Sequence, residues 1–234
     1  LMYLADNGLS PYFAYAESFE VLPGIDPNTK NSYKPLEGKL YETGIKYAPS
    51  FLDGYINLAL FDLEQTNSLV STGSGQQTQA GEVTSQGVEL EGSVQATEAL
   101  RLTAAYTYTD AKTNDTGNGD RQASLIPRHQ ASFWGNYKVQ QGPVSGLEVG
   151  TGVRYIGSSV GIGAVNADYT PIYGSAQVPA QTVWDAMIGY DFAKNWRAQV
   201  NVNNLLNDTY VASCDYYCYY GEPRSIVGSV NYRW

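Results

Sequence analysis

The feature that most limits what this chain can fold into is a two-residue alternation held over segments of ten residues or more. In TVWDAMIGYDF, residues 182–192, Trp184, Ala186, Ile188, Tyr190 and Phe192 fall on one side of an extended chain. Asp185, Met187, Gly189 and Asp191 fall on the other. The same separation recurs at 128–139, where Ala131, Phe133, Gly135, Tyr137 and Val139 oppose Arg128, Gln130, Ser132, Trp134, Asn136 and Lys138. It recurs again in RLTAAYTYT at 101–109, LEVGTGVRY at 147–155 and SIVGSVNYRW at 225–234. Period two is strand geometry, because successive side chains of a pleated strand point to opposite faces. Pro and Gly interrupt anything that would turn helical.

Ten long strands follow, at about 9–19, 33–48, 54–65, 83–96, 100–110, 128–139, 147–156, 181–192, 196–207 and 224–234, with a strand stub at 1–4. Their connections alternate in length. ADNGLS, APSFLD, TEAL, VQQGPVSG and DFAKNW are short, whereas roughly 20–32, 66–82, 111–127, 157–180 and 208–223 are long. Such alternation collects every long loop at one end of an antiparallel meander. Transmembrane barrels have this form, with short periplasmic turns and long extracellular loops. A soluble antiparallel sheet is the competing reading, but its strands usually run only about 5–6 residues and bury an apolar interior. Here the apolar face carries aromatics near both strand ends, and the opposite face carries Glu, Arg, Lys, Asn and Gln among Gly and Ser. Apolar outside and polar inside is the barrel arrangement in lipid.

Composition narrows the function classes. Charged residues make up 16% of the chain, against about 25% in soluble domains. The net charge of −9 excludes a nucleic-acid partner, since binding a phosphate backbone needs a cationic surface. There is no run of about 18 apolar residues for a transmembrane helix, but a barrel strand needs only about ten residues with one apolar face. The opening LMYLADNG lacks the pattern of a secretory leader, so either a leader has been removed or the chain is a piece of something longer. The stub at 1–4 has no partner hairpin, and an open sheet edge in hydrocarbon is costly. The expectation is the C-terminal part of a larger barrel. Two cysteines four positions apart allow at most one local bridge, compatible with an oxidising compartment.

Several stretches resemble TonB-dependent siderophore receptors, specifically the ferrichrome-type, ferric hydroxamate branch. They are GLSPYFAYAESFEVLPG at 8–24, YETGIKYAP at 41–49, GVELEGSVQ at 87–95, AAYTYTDA at 104–111, IPRHQASFWGNY at 126–137, GPVSGLEVGTGVRYIGSS at 142–159 and NVNNLLNDTYVASC at 201–214. The resemblance is collinear and spans essentially the whole chain. It implies an all-β transmembrane antiparallel β-barrel of 22 strands closed around an N-terminal plug. Residues 1–234 would supply strands 13–22, with the plug and the first half of the barrel absent. It further implies a Gram-negative outer-membrane receptor that actively imports a ferric siderophore, energised by the TonB–ExbB–ExbD complex acting on the missing N-terminal part. No cofactor is implied, because the iron travels inside the siderophore. Lipopolysaccharide, the receptor's own plug and a hijacking phage or toxin are the further partners implied.

The stretch CDYYCYYGEP at 214–223 holds both cysteines. A metal site needs more Cys or His ligands than it offers, and the chain's one histidine, His129, lies some 85 residues earlier. A redox Cys-x-x-Cys pair has two intervening residues, whereas Cys214 and Cys218 have three. The resemblance implies a short disulfide hairpin in this last extracellular loop, generally with a longer interval than here. It also implies that one or two of Tyr216, Tyr217, Tyr219 and Tyr220 contact the chelator, since family members use loop aromatics in this way. Rigid rings with a hydroxyl suit an amphipathic ligand.

By alternation Glu42, Lys46, Glu89, Glu91, Arg101, Glu148, Arg154 and Arg233 lie on the luminal face, where they are expected to pair with plug or neighbouring-strand charges. Trp134, Tyr137, Trp196, Tyr232 and Trp234 are expected in the interfacial girdle. DRQASLIPRH at 120–129 reads either as a basic patch for an anion or as the ordinary foot of a loop. No carboxylate pair, Ser/His/Asp set or phosphate cradle stands in a context for catalysis, and no metal site is expected. The alternative functions are a TonB-dependent receptor for another cargo such as cobalamin or a glycan, a passive porin, and a surface adhesin or phage-docking barrel.

Overall fold

Ten strands pair in sequence order into one antiparallel meander. The computed structural model describes residues 1–71, 77–115, 119–167 and 171–234. In chain order the strands are β1 (Leu9–Glu20), β2 (Leu36–Tyr47), β3 (Gly54–Ser71), β4 (Gln77–Gln95), β5 (Leu100–Asp115), β6 (Gly119–Gln122), β7 (His129–Lys138) and β8 (Leu147–Ile156). They continue with β9 (Ser159–Val165), β10 (Pro171–Val178), β11 (Gln181–Ala193), β12 (Trp196–Asn203), β13 (Val211–Asp215), β14 (Tyr217–Tyr220) and β15 (Ser225–Tyr232). The main sheet runs β1-β2-β3-β4-β5-β7-β8-β11-β12-β15, with β6 folded back on the end of β5. β9 with β10, and β13 with β14, form separate hairpins. Residues 1–5 run along β1, as the expected stub, with Met2 bridged to Tyr12 and the Tyr3 amide donating to the Pro11 carbonyl at 3.0 Å.

Several boundaries differ from the sequence reading. The strands read as 54–65, 83–96 and 100–110 extend to Ser71, back to Gln77 and on to Asp115. These extensions are rich in Thr, Gln, Ser and Asn, a loop-like composition that nevertheless pairs in a long hairpin projecting past the apolar band. The strand read to 207 stops at Asn203, because Asn204 and Asn207 both turn left-handed, with φ of 51° and 59°. Asparagine is among the few residues that tolerate that region. The loops read at 157–180 and 208–223 contain the two small hairpins. Residues 72–76, 116–118 and 168–170, within the loops read at 66–82, 111–127 and 157–180, lie outside the described residues.

Cross-strand register fixes the faces, since directly paired residues share one. Phe13, Thr43, Leu60, Val88, Tyr108 and His129 form one continuous row on the apolar face. Phe133, Val153 and Trp184 form another. Large apolar side chains on this face are open to the surroundings, among them Phe13, Leu60, Phe133, Val149, Ile188 and Val230. The sheet therefore has no dry core of its own. Among the described residues the buried apolar side chains are Ala111, Ala123, Ile162, Val178, Val183 and Cys214, most of them at the long-loop end.

Candidate functional site

The long-loop end is where side chains are assembled rather than merely aligned. Cys214 and Cys218 are direct register partners across the β13–β14 hairpin and are bridged, with Cα atoms 4.0 Å apart. The bridge closes a three-residue tip in which Tyr216 takes the left-handed conformation. The Tyr216 amide donates to the Ile162 carbonyl of β9 at 2.6 Å. Two residues earlier on β9 the Leu125 amide donates to the Val160 carbonyl at 2.8 Å. Gly161, between them, has the Cys214 carbonyl where a β-carbon would sit, so only glycine lets the hairpin dock this closely. β10 joins the assembly through Tyr173, whose ring lies 3.4 Å from the Arg121 guanidinium of β6.

The hairpin is thus pinned on its backbone and free on its side chains. Tyr216, Tyr217, Tyr219 and Tyr220 are 54%, 74%, 60% and 76% exposed. All four expected contact residues are brought together on this crown.

The base of the crown rests on a residue that the sequence reading passed over. Asn204 is 2% exposed and fully bonded. Its side-chain amide donates to the Asp208 carbonyl at 2.8 Å and the Glu222 carbonyl at 3.1 Å, and its Oδ1 accepts from the Asp208 amide at 2.9 Å. Its own backbone amide donates to Asp185 Oδ1 at 2.9 Å. Asp185 also holds Arg154, whose Nε donates at 2.6 Å and Nη2 at 3.1 Å. A carboxylate on the polar wall therefore ties a wall cation to the root of the last loop. The alternation placed Asp185 on the polar face, but nothing in the linear sequence announces its bond to Asn204.

The other charged residues of the wall, expected and unexpected, separate into two groups. Lys138, Asp191, Arg197 and Glu148 form one connected set near the short turns. Lys138 meets Asp191 at 2.8 Å, and Arg197 meets Asp191 at 3.2 Å and Glu148 at 2.6 Å. Asn136 also donates to Glu148. The Arg233 amide donates to the Asn195 carbonyl at 2.9 Å, and its side chain lines the same hollow. Across the sheet, Glu42 accepts from the Tyr12 hydroxyl at 2.6 Å and Lys46 stands 5.4 Å from the Tyr12 ring centroid. Glu91 accepts from Asn57 at 2.8 Å, and Arg101 donates to Gln95 at 2.9 Å. Glu89, exposed, lies between them on the same face, paired in register with Ala59 and Thr107.

Of the aromatics, Tyr137, Trp196 and Tyr232 lie on the apolar face, with the rings of Trp196 and Tyr232 4.9 Å apart. Trp234 is fully exposed beyond β15. Trp134 departs from the expected girdle position. Its register partners Thr103 and Gly152 put it on the polar face, and its indole fills the space over Gly150 and Gly152 where β-carbons would stand. Residue type suggested a membrane anchor, but the two facing glycines make a berth for the ring on the opposite side.

A long-stranded antiparallel wall with an exposed apolar face, a charged inner face and a crown of loops at one end defines the wall of an outer-membrane β-barrel. Residues 1–205 match the family model described as TonB dependent receptor-like, beta-barrel. The chain belongs to the TonB-dependent receptor family, a family of outer-membrane transport receptors and not of enzymes. It is 38% identical over 240 residues to the ferrichrome outer membrane transporter/phage receptor of Escherichia coli, covering 99% of this chain and 31% of that protein. It is 37% identical over 241 residues to the ferrioxamine B receptor of Salmonella typhimurium, covering 99% and 33%. The crystal structure of the ferripyoverdine receptor of Pseudomonas aeruginosa superposes with a TM-score of 0.83 at 23% identity, over 99% of this chain and 32% of that one. The chain spans about a third of the length of the relatives it matches. Near-equal identity to two receptors named for different siderophores widens the ferrichrome-branch expectation to siderophore receptors generally.

Proposed function

We propose that residues 1–234 form the C-terminal part of the barrel, strands 13–22 of 22, in a receptor that imports a ferric siderophore of the hydroxamate type under TonB–ExbB–ExbD drive. The observation that carries this reading is the crown. A backbone-pinned, disulfide-tied hairpin presents four exposed tyrosines at the mouth of a polar wall. In this reading the long loops are extracellular and the short turns periplasmic. Glu42, Lys46, Glu89, Glu91, Arg101, Glu148, Arg154 and Arg233 face a plug supplied by the rest of the protein. Tyr137, Trp196, Tyr232 and Trp234 sit at the membrane boundary, where amphipathic rings are favoured. The iron stays within its chelator, so the tyrosines touch the ligand and do not coordinate metal.

Equilibrium binding to the full-length receptor tests the reading, with ferrichrome, ferrioxamine B and cobalamin as separate titrants. Substituting all four tyrosines by alanine should weaken binding of the preferred ferric chelator by about 1–3 kcal/mol if one is an anchor. Affinity unchanged within about twofold, against that anchor scale, would remove the crown from the binding site. Saturable binding of cobalamin alone would assign another cargo, and diffusive flux without any saturable binding would assign a porin. The double change of Cys214 and Cys218 to Ser should weaken binding less than the tyrosine set and leave barrel assembly intact, because so short a ring restrains little unfolded chain.

A further inference from the structure

The run NNLLND at 203–208 leads from the end of β12 into the long loop before β15. β12 and β15 stop pairing at Asn203 and Ser225, so the chain from Asn204 to Arg224 stands beyond the sheet. Three rungs join its two limbs at a neck. The Asn204 side chain reaches the Glu222 carbonyl, Asn207 Oδ1 accepts from the Arg224 amide at 3.1 Å, and the Gly221 amide donates to the Tyr210 carbonyl at 2.8 Å. The Tyr210 ring also fills the space where a β-carbon on Gly221 would stand. The crown hairpin therefore rises from a closed stem.

The rungs are not equivalent. Asn204 holds both limbs with one side chain, because Nδ2 donates to Asp208 on the outgoing limb and to Glu222 on the returning one. Its Oδ1 accepts from the Asp208 amide, and the residue is buried. The position asks for a left-handed φ, two donors and an acceptor within a short reach. Asparagine supplies all of these, whereas aspartate lacks the donors and glycine adopts the turn but bonds nothing from its side. Glu222 lies two residues beyond Tyr220, the last residue of β14. The bond at Glu222 thus fixes where the returning limb, and the tyrosines on it, can stand. The tip is fixed separately, by the Tyr216 amide on β9. Two fixed points give the hairpin a direction, and with one of them gone it would pivot about the other.

We propose that Asn204 is a positioning residue for ferric-chelator binding: it touches no ligand and sets affinity by holding the four-tyrosine crown in its binding orientation before the ligand arrives. The gain is entropic, since a hairpin ordered beforehand needs no ordering on binding. The sheet below does not depend on this side chain, because strand pairing ends one residue earlier and it is the Asn204 backbone amide that meets Asp185. The inference rests on the proposed role of the crown as the ligand surface.

The test uses the purified full-length receptor with ferrichrome and ferrioxamine B as probes, read by equilibrium binding and by amide hydrogen exchange over residues 211–220. Asn204→Gly keeps the backbone turn and the bond to Asp185 while removing the clamp. It should weaken binding of the preferred probe by about tenfold, several side chains then being ordered only on binding, and should speed exchange across 211–220 in the unliganded receptor. Asn204→Asp, which keeps the acceptor and loses both donors, should do at least as much. Asn203→Ala, which removes a side-chain bond to Ser225 one residue lower, should change neither. In a receptor whose four crown tyrosines are already alanine, Asn204→Gly should weaken binding by no more than about a further twofold, a coupling that a general loss of stability would not produce. Faster exchange with unchanged affinity, or an equal loss of affinity with and without the tyrosines, overturns the positioning role. Unchanged exchange overturns the clamp itself. If the four-alanine receptor binds as tightly as the unaltered one, the crown is not the ligand surface and the role in affinity falls with it, while exchange still reports the clamp.

Discussion

The two halves of the polar wall solve the same problem differently. From β7 to β12, three cations (Lys138, Arg154 and Arg197) face three carboxylates (Glu148, Asp185 and Asp191), and every one of them is in an ion pair. From β2 to β5, Glu42 and Glu91 rest on a tyrosine and an asparagine, Arg101 on a glutamine, and Glu89 is exposed. One half is neutralised within the wall. In the other, among the described residues, Glu42, Glu89, Glu91, Lys46 and Arg101 form no ion pair within the wall. In the proposed receptor a plug or a passing ligand would therefore have electrostatic purchase mainly on the β2–β5 side, with the β7–β12 side as a fixed frame.

Four measurements would break or sharpen that contrast, each by urea unfolding of the full-length receptor in lipid. The largest effect is expected for Val149→Arg, on the apolar face of the paired half, at about 2–4 kcal/mol near the midplane. If it is tolerated, the inside–outside assignment on which both halves rest is wrong. Next, Asp185→Ala should cost about 2 kcal/mol, because it strips a charged acceptor from the Asn204 amide and from Arg154. Arg154 is about half exposed, and solvent screening lowers the ion-pair share of that figure. Arg197→Ala should cost about 1–2 kcal/mol, since it deprives Glu148 and Asp191 of a shared partner. The smallest change is expected for Glu89→Gln with Glu91→Gln, within about 0.5 kcal/mol, as for exposed substitutions in general. A penalty as large as that of Arg197→Ala would show that the β2–β5 half is bonded after all.

Much of this wall is legible in the sequence because period-two alternation is a local property. Tyr137, Glu148 and Arg154 can be assigned to faces from their immediate neighbours alone. The rest depends on what lies across the sheet or above it. Trp134 sits on the polar face by its own parity, yet its residue type argues for the membrane boundary. Only the register, which brings Gly152 opposite it and Gly150 diagonal to it, decides between them. The extensions of β3, β4 and β5 have loop-like composition and become strands because each has a partner. Asn204 and Asp185 are nineteen positions apart, and Leu125 and Val160 further still. Their bonds are consequences of folding that no window of sequence contains. The disulfide hairpin could be placed in the last loop, but its docking on β9 through the Tyr216 amide could not.

The indole of Trp134, laid over two glycines, bears on how anything moves past the wall. A ring lying flat takes only its own thickness from the bore, where a side chain standing upright would take its full length. That stretch of β7 and β8 is in effect polished, and in the proposed receptor it would offer clearance to a shifting plug. Gly150→Leu would tip the ring inward like a doorstop. Uptake should then slow while ligand affinity at the crown and assembly into the membrane are preserved, so the defect would be one of passage alone.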